Sequence, residues 1–207
     1  MEKHIKTELH SGGVTFIELC KIAEQLLGAN VGSNEFHAEV ELFLLHNFTD
    51  ENVNNIINLI KGLSLYKIQN EDLNQLLFKT ISENMDSMSI RQLEMLLWSF
   101  SRKHLAHHPQ ARLKTQLSQM QDYEQQTVVK LIDHIKQKSP SMRPRGIAFA
   151  IEAISNLGYD DKAVFDRLER VVIAKIDEFN THYLVKIMNS YSKVGQGSGE
   201  LYDSLIH

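Results

Sequence analysis

A chain of 207 residues, 43% hydrophobic and 23% charged, has the composition of a folded globular protein, and its length holds either one ordinary core or a row of helical pairs. The single cysteine, Cys20, excludes an internal disulfide framework and any multi-cysteine metal site, and it is expected on the buried face of the first helix. No run approaches the roughly 20 apolar residues of a membrane span, so the chain reads as soluble or peripheral and not membrane-spanning. The start, MEKHIKTELHSGG, lacks the apolar core of a secretion signal and the arginine-rich character of an import presequence.

The distribution of charge says more than the net value of −4. Met1 to Ser101 holds 7 basic and 14 acidic residues, Arg102 to Arg145 holds 9 and 3, and Gly146 to His207 holds 6 and 9, which gives −7, +6 and −3. The middle is a basic island in an acidic protein.

Taken in order, the apolar residues fall at helical spacing, and with three prolines and few alternating runs they predict an all-helical protein. Leu19, Ile22, Ala23 and Leu26 form the first face. Ile56, Leu59, Ile60 and Leu63 repeat it after 37 residues (56 − 19 = 37), and Leu93, Leu96, Leu97 and Phe100 after another 37 (93 − 56 = 37). It returns as Ile147, Ala150, Ile151 and Ile154, then as Leu184, Ile187, Met188 and Tyr191 (184 − 147 = 37). Four residues before each of these anchors stand Thr15, Asn52, Ser89, Arg143 and Asn180. Four of the five are preferred helix caps, and the fifth, Arg143, precedes Pro144, a favoured first helical residue. Thr15 with Glu18 and Ser89 with Gln92 have the form of capping boxes.

A second helix is expected after each first one, capped by Ser33, Asn70, Asp161 and Ser198, with core positions such as Phe36, Val40 and Leu44 or Val164, Leu168 and Val172. Gly28, Gly32, Gly158 and Gly195 fall in the turns. The middle breaks step, since Leu93 to Ile147 spans 54 residues (147 − 93 = 54), and an additional helix is read there from about Gln125 to Lys138, ended by Ser139-Pro140. The expected fold is all-α, an α-solenoid of antiparallel helix pairs with a 37-residue repeat and one extra helix in the middle. It forms a single helical-repeat domain over 1–207, with units at about 14–50, 51–88, 89–124, 143–179 and 180–207 and the extra helix at 125–138.

Few residues suggest chemistry. His104, His107 and His108 have the look of a metal site, but Pro109 sets them in a turn and no carboxylate or thiol completes a ligand set. No zinc-protease, Walker, Rossmann or nucleophile-elbow motif occurs, so no catalytic residue, metal or cofactor is expected. GQGSG at Gly195 to Gly199 follows a helix and lacks a following lysine, which makes it an inter-helix turn rather than a phosphate loop. Asp160-Asp161 sits at a helix start, where acids favour the dipole, and Asp177-Glu178 at a helix end, solvated. Trp98 lies at the edge of its helix face, either packed locally or exposed as an interface anchor. The basic island stands out: Arg102, Lys103, Arg112, Lys114, Lys130, Lys136, Lys138, Arg143 and Arg145, with Trp98, form the candidate interaction surface. For RNA it would supply phosphate contacts; an acidic protein neighbour or plain solvation would account for it equally well.

These units, with LLWSFSRKH at Leu96 to His104 and LVKIMNSYSKVGQGSGELYDSL at Leu184 to Leu205, resemble the heptatricopeptide and octotricopeptide class of organellar helical repeats, as in FAST-kinase-like and RAP-domain proteins. The resemblance implies an organellar, usually mitochondrial, protein of RNA metabolism or a subunit of a large complex. The chain departs from the RNA-processing members in being short, acidic overall and without a RAP domain. The expected function is a non-catalytic scaffold or adaptor docking neighbouring subunits of a large mitochondrial assembly such as a respiratory-chain complex, ATP synthase or the mitoribosome. The alternative is an RNA-binding helical-repeat protein of organellar RNA metabolism or the mitoribosome. Protein subunits are the expected partners, with RNA through the basic middle as the second, and no small-molecule substrate.

Overall fold

The computed structural model describes residues 14–26, 31–48, 53–62, 68–107 and 120–206, together with Thr7 and Leu117. All regular structure among these residues is helical, and the chain divides into two compact units, Met1–Asn84 and Met85–His207.

In the first unit the helices are α1 (Phe16–Leu26), α2 (Asn34–His46), α3 (Val53–Gly62) and α4 (Glu71–Asn84). The starts of α1, α2 and α4 are fixed by the polar residues at the register positions. Thr15 donates from its N–H and its hydroxyl to Glu18 Oε2 at 2.9 and 2.8 Å, and Glu18 N–H returns a bond to the Thr15 hydroxyl at 3.3 Å. The capping box expected there is therefore formed. Ser33 accepts from Phe36 N–H at 3.3 Å and Asn70 Oδ1 from Leu73 N–H at 2.9 Å. The cap expected for α3, Asn52, lies outside the described residues. With starts fixed, the apolar stripes face each other: α1 packs on α3, α2 packs on α4, and each first helix packs on the second helix of its own pair. Leu19, Ala23, Leu59, Val40, Leu44 and Leu73 are essentially without solvent contact. Burial of each large aliphatic side chain stabilises by about 1.5–3 kcal/mol.

The second unit repeats this build with α5 (Ile90–His107), α6 (Asp122–Lys138), α7 (Pro144–Asn156), α8 (Lys162–Ala174), α9 (Thr181–Val194) and α10 (Gly199–Ile206). Ser89 and Gln92 form the second capping box, Asp161 accepts from Ala163 and Val164 N–H, Asn180 from Tyr183 N–H, and Ser198 from Leu201 N–H. α7 packs against both α5 and α9, forming a first layer; α8 packs against both α6 and α10, forming a second. The helix expected from about Gln125 is α6. It begins at Asp122 because Gln121 and Glu124 make a further capping box, and it lies in the second layer between α5 and α8. α9 stops where Gly195 takes the left-handed conformation (φ 68°), so the GQGSG stretch is a turn between helices.

One device occurs in both units. Glu41 on α2 is 1% exposed and accepts from the N–H groups of Gln69 (3.0 Å) and Asn70 (2.6 Å), the entry to α4. Glu169 on α8 is 9% exposed and accepts from the N–H and hydroxyl of Ser198, the entry to α10. Each carboxylate stands eight residues after its own helix cap (41 − 33 = 8, 169 − 161 = 8) and braces the cap of the next second-layer helix. A buried acid is costly alone, and here the orphan N–H groups and positive end of the next helix compensate it. Cys20 is buried on α1, as its spacing predicts.

Candidate nucleic-acid interface

The first layer of the second unit presents its polar sides together. α5 turns Leu93, Leu96, Leu97 and Phe100 inward, which leaves Arg91, Glu94, Trp98 and Arg102 on the opposite side at helical spacing. On α7 the same rule leaves Arg145, Phe149, Glu152 and Asn156, and on α9 it leaves His182, Lys186, Asn189 and Lys193. Because α7 packs between α5 and α9, the three rows lie side by side.

Aromatic rings hold the cations of this face in place. The Arg102 guanidinium lies 4.6 Å from the centre of the Trp98 ring, one helical turn before it. Phe149 carries two cations, the Arg145 guanidinium at 5.6 Å and Lys186 Nζ at 4.9 Å, and packs edge-on against Tyr183 at 6.2 Å. Each such contact at an exposed position is worth about 0.5–1 kcal/mol, enough to restrict a long side chain, while the Lys186 side chain is itself only 16% exposed. Lys186 also donates to Glu152 Oε1 at 2.5 Å, and Lys193 Nζ to Asn156 Oδ1 at 2.5 Å. These bonds cross from α9 to α7.

Two carboxylates, Glu94 and Glu152, share the face with its cations. Desolvation raises the Glu94 carboxyl above its ordinary value, and Arg145, Arg143 and Arg91 pull it back only in part. Glu94 lies against α7 because Gly146 has no side chain; a Cβ there would stand 2.0 Å from Glu94 Oε1. Desolvation likewise pushes the Lys193 ammonium down, opposed by Glu152. Between α7 and α9 opens a cleft of about 320 Å³, lined by Glu152, Asn156, His182, Lys186, Asn189 and Lys193 among others.

The residues of the basic island are distributed over two layers. Trp98 and Arg102 on α5 and Arg145 on α7 belong to the face just described, and Trp98 is half-buried beneath its arginine. Arg143 is the residue before Pro144 at the start of α7, close enough to Glu94 to lower its carboxyl. Lys130, Lys136 and Lys138 are carried by α6, in the second layer. Lys138 Nζ donates to the Met88 carbonyl at 3.0 Å, and Lys130 and Lys138 both act on Asp86, whose carboxyl is held below its ordinary value first by the bond from His134 at 2.8 Å. Part of the island thus secures the 85–88 segment. The side chain of Lys103, with Arg112, Lys114 and the side chains of the His104, His107 and His108 cluster, lies outside the described residues.

Phe149, His182, Lys186 and Lys193 were not among the residues singled out from the sequence, and all four stand in the acidic stretch Gly146 to His207. The signal was present in the register. Lys193 follows Asn156 by 37 residues, the step of the core, and Lys186 follows Phe149 by the same step (186 − 149 = 37). Reading the exposed positions by their offset from the buried anchors puts Arg102, Asn156 and Lys193 in one row, each nine residues after Leu93, Ile147 and Leu184 (102 − 93 = 9, 156 − 147 = 9, 193 − 184 = 9).

Chemically the face can hold a polyanion. Pre-positioned guanidinium and ammonium groups match phosphates, and guanidinium planes and aromatic rings offer stacking surfaces to bases. Among the described residues no group of three or more His, Cys, Asp or Glu is placed to hold a metal ion, and no helix is long and apolar enough to cross a membrane.

No curated protein matches the chain. Residues 42–207, which include the whole of the second unit and its cation-bearing face, match the model of one family, and the chain belongs to it: the RNA-editing substrate-binding complex 6 protein family.

Proposed function

We propose that this chain is a non-catalytic subunit of an RNA-editing substrate-binding complex and that it contacts RNA through the first-layer face of Met85–His207. The observation that carries the reading is the row of ring-held and bonded cations, Arg102, Arg145, Lys186 and Lys193, on three adjacent helices. Membership of the family supports an assembly that handles RNA, in preference to the respiratory-chain complexes and ATP synthase considered from the sequence. It also favours the RNA-binding alternative over a purely protein-docking scaffold. The common register of the caps supports reading 1–207 as one helical-repeat domain of the heptatricopeptide or octotricopeptide type, and membership of an RNA-editing complex family is compatible with work in the mitochondrion. The second-layer residues Lys130 and Lys136 are the part of the basic middle we assign to protein neighbours.

The test is binding of an unstructured RNA oligonucleotide, followed by fluorescence anisotropy. Replacing Arg102, Arg145, Lys186 and Lys193 together by Glu should weaken binding at least about a hundredfold while the helical circular dichroism is retained, since reversal replaces four phosphate contacts by repulsion. Equal affinity of the two proteins would remove the reading. In mitochondrial extract, the set of partners captured by the chain should shrink on RNase treatment; a set that RNase leaves whole would favour the protein-docking scaffold.

A further inference from the structure

The α9–α10 pair leaves open a set of apolar positions that pairs followed by another keep closed. The fourth, fifth and eighth residues after the cap of a first-layer helix face the next first-layer helix. On α1 they are Leu19, Cys20 and Ala23 and on α7 Ile147, Ala148 and Ile151, all buried, with α3 and α9 packed beside them. On α5 the fifth is Glu94, which lies against Gly146 of α7 (94 − 89 = 5). The same positions on α9 are Leu184, Val185 and Met188, and there Leu184 and Met188 are only half-buried and Val185 is 45% exposed. The second layer repeats the difference. Its eighth residue after the cap is Glu41 on α2 and Glu169 on α8, each buried against the next cap; on α10 it is Ile206, 73% exposed (206 − 198 = 8). Tyr202 and Leu205 beside it are half-buried, where Phe165 and Leu168 at the same register of α8 are buried.

We infer that this two-helix strip receives an antiparallel helix pair of a different subunit, a helical-repeat neighbour whose second-layer helix carries lysine or arginine at the contact. The shape of the occupant follows from the pair before: the positions of α7 and α8 that match the strip are covered by α9 and α10, a helix pair. Its charge follows from the rim. Glu200 and Asp203 are exposed and stand three apart on α10, Asp203 stands three before Ile206, and α10 has no lysine or arginine, so acids edge the strip on the second-layer side. A second copy of this chain does not supply the missing cations. Its own α10 would set the same two acids against themselves, and its α2, the second-layer helix of its first pair, holds Glu35, Glu39 and Glu41 and neither lysine nor arginine. Like charges across an interface select against such a partner, and a cationic helix is selected for. The inference rests on the reading of the chain as a subunit of a complex and uses none of the cations assigned to RNA.

The experiment places a photo-crosslinking amino acid at Val185 or Ile206 of the full chain, with exposed Gln126 on α6 as the control, and maps by mass spectrometry the adducts formed within the assembled complex in mitochondrial extract. The inference expects Val185 and Ile206 to join one segment of one other protein, with apolar residues at helical spacing and a lysine or arginine within a turn of the joined residue, and Gln126 not to join it. Val185→Glu with Ile206→Glu should lower recovery of that protein at least about tenfold, and Glu200→Lys with Asp203→Lys about threefold or more, the second loss being restored when the partner's cation is changed to Glu. All four positions are exposed, so circular dichroism and RNA affinity should stay those of the unaltered chain. Adducts to a second copy, to RNA or to an acidic segment, adducts at neither position within an assembled complex, or recovery unchanged by either pair of substitutions would overturn the docking strip and leave the RNA-binding reading in place. A chain that enters no complex would overturn the subunit reading with it.

Discussion

The two units share one construction and differ in what they turn outward. In both, polar caps at the same register start the helices, first-layer helices pack on first-layer helices, and a buried carboxylate braces the next cap: Glu41 in Met1–Asn84, Glu169 in Met85–His207. The exposed positions separate them. Where α3 carries Asn54, Asn58 and Lys61, α5 carries Arg91, Met95 and Trp98 at the same register, and α7 and α9 add Arg145, Phe149 and Lys186. The first unit holds 6 basic and 12 acidic residues and the second 16 and 14, giving −6 and +2. Apolar positions and caps set the fold of a helical repeat, while the polar outer positions are free to change and decide what the repeat binds.

The comparison can be sharpened by breaking what the units share. Leu59→Ala and Leu93→Ala each empty a fully buried first-layer position, one per unit, and each should cost about 2–5 kcal/mol in urea melts. Glu41→Ala and Glu169→Ala remove the two braces. Each leaves buried N–H groups without a charged acceptor, so a loss of about 1.5–3 kcal/mol is expected from both, with similar values for the two units. A large loss from one and none from the other would show that the device is not shared. Ser33→Ala and Asn180→Ala remove one cap from each unit and should cost about 1 kcal/mol apiece.

The smallest effects are those of pH, and they separate two carboxylates of the second unit by sign. Asp86 is held below its ordinary value in the folded chain by the His134 bond, so its contribution is complete above the usual aspartate range and fades as the pH falls through the depressed value. Asp86→Asn should flatten the acid limb of stability. Glu94 is raised by desolvation, so its contribution is complete at low pH and is lost as the pH rises through the raised value. Glu94→Gln should therefore increase stability at neutral pH slightly and leave it unchanged in acid. A fall at neutral pH would mean that the ionised carboxylate, attracted by Arg145, Arg143 and Arg91, is the favoured form.

The fold was largely legible because its determinants are local. Thr15 and Glu18, Ser89 and Gln92, and Asp161 act within one helical turn, and the 37-residue step of Leu19, Ile56 and Leu93 needs no partner to be seen. The start of α6 was missed by three residues, since Gln121 is not a common cap and acts only through Glu124. Long-range pairings were out of reach. Nothing in the sequence joins Glu41 to Asn70 or Lys138 to the Met88 carbonyl, which are brought together by stacking. The candidate face was half visible: charge density pointed to Arg102 and Arg145, but it also gathered Lys138, which stacking commits to the 85–88 segment. Lys186 and Lys193 were hidden by acidic neighbours in sequence, Asp177 and Glu178, which lie in the turn before α9 and not on it.

The central claim, that the first-layer cations of the second unit hold an RNA backbone, is tested most directly by the salt dependence of RNA affinity. With four phosphate contacts to a single strand, log K should fall with log salt at a slope of about −3, so that affinity drops roughly fiftyfold between 50 and 200 mM salt. The fourfold Glu replacement of Arg102, Arg145, Lys186 and Lys193 should abolish that dependence along with the binding. An affinity insensitive to salt, or a slope that survives the replacement, would contradict the account.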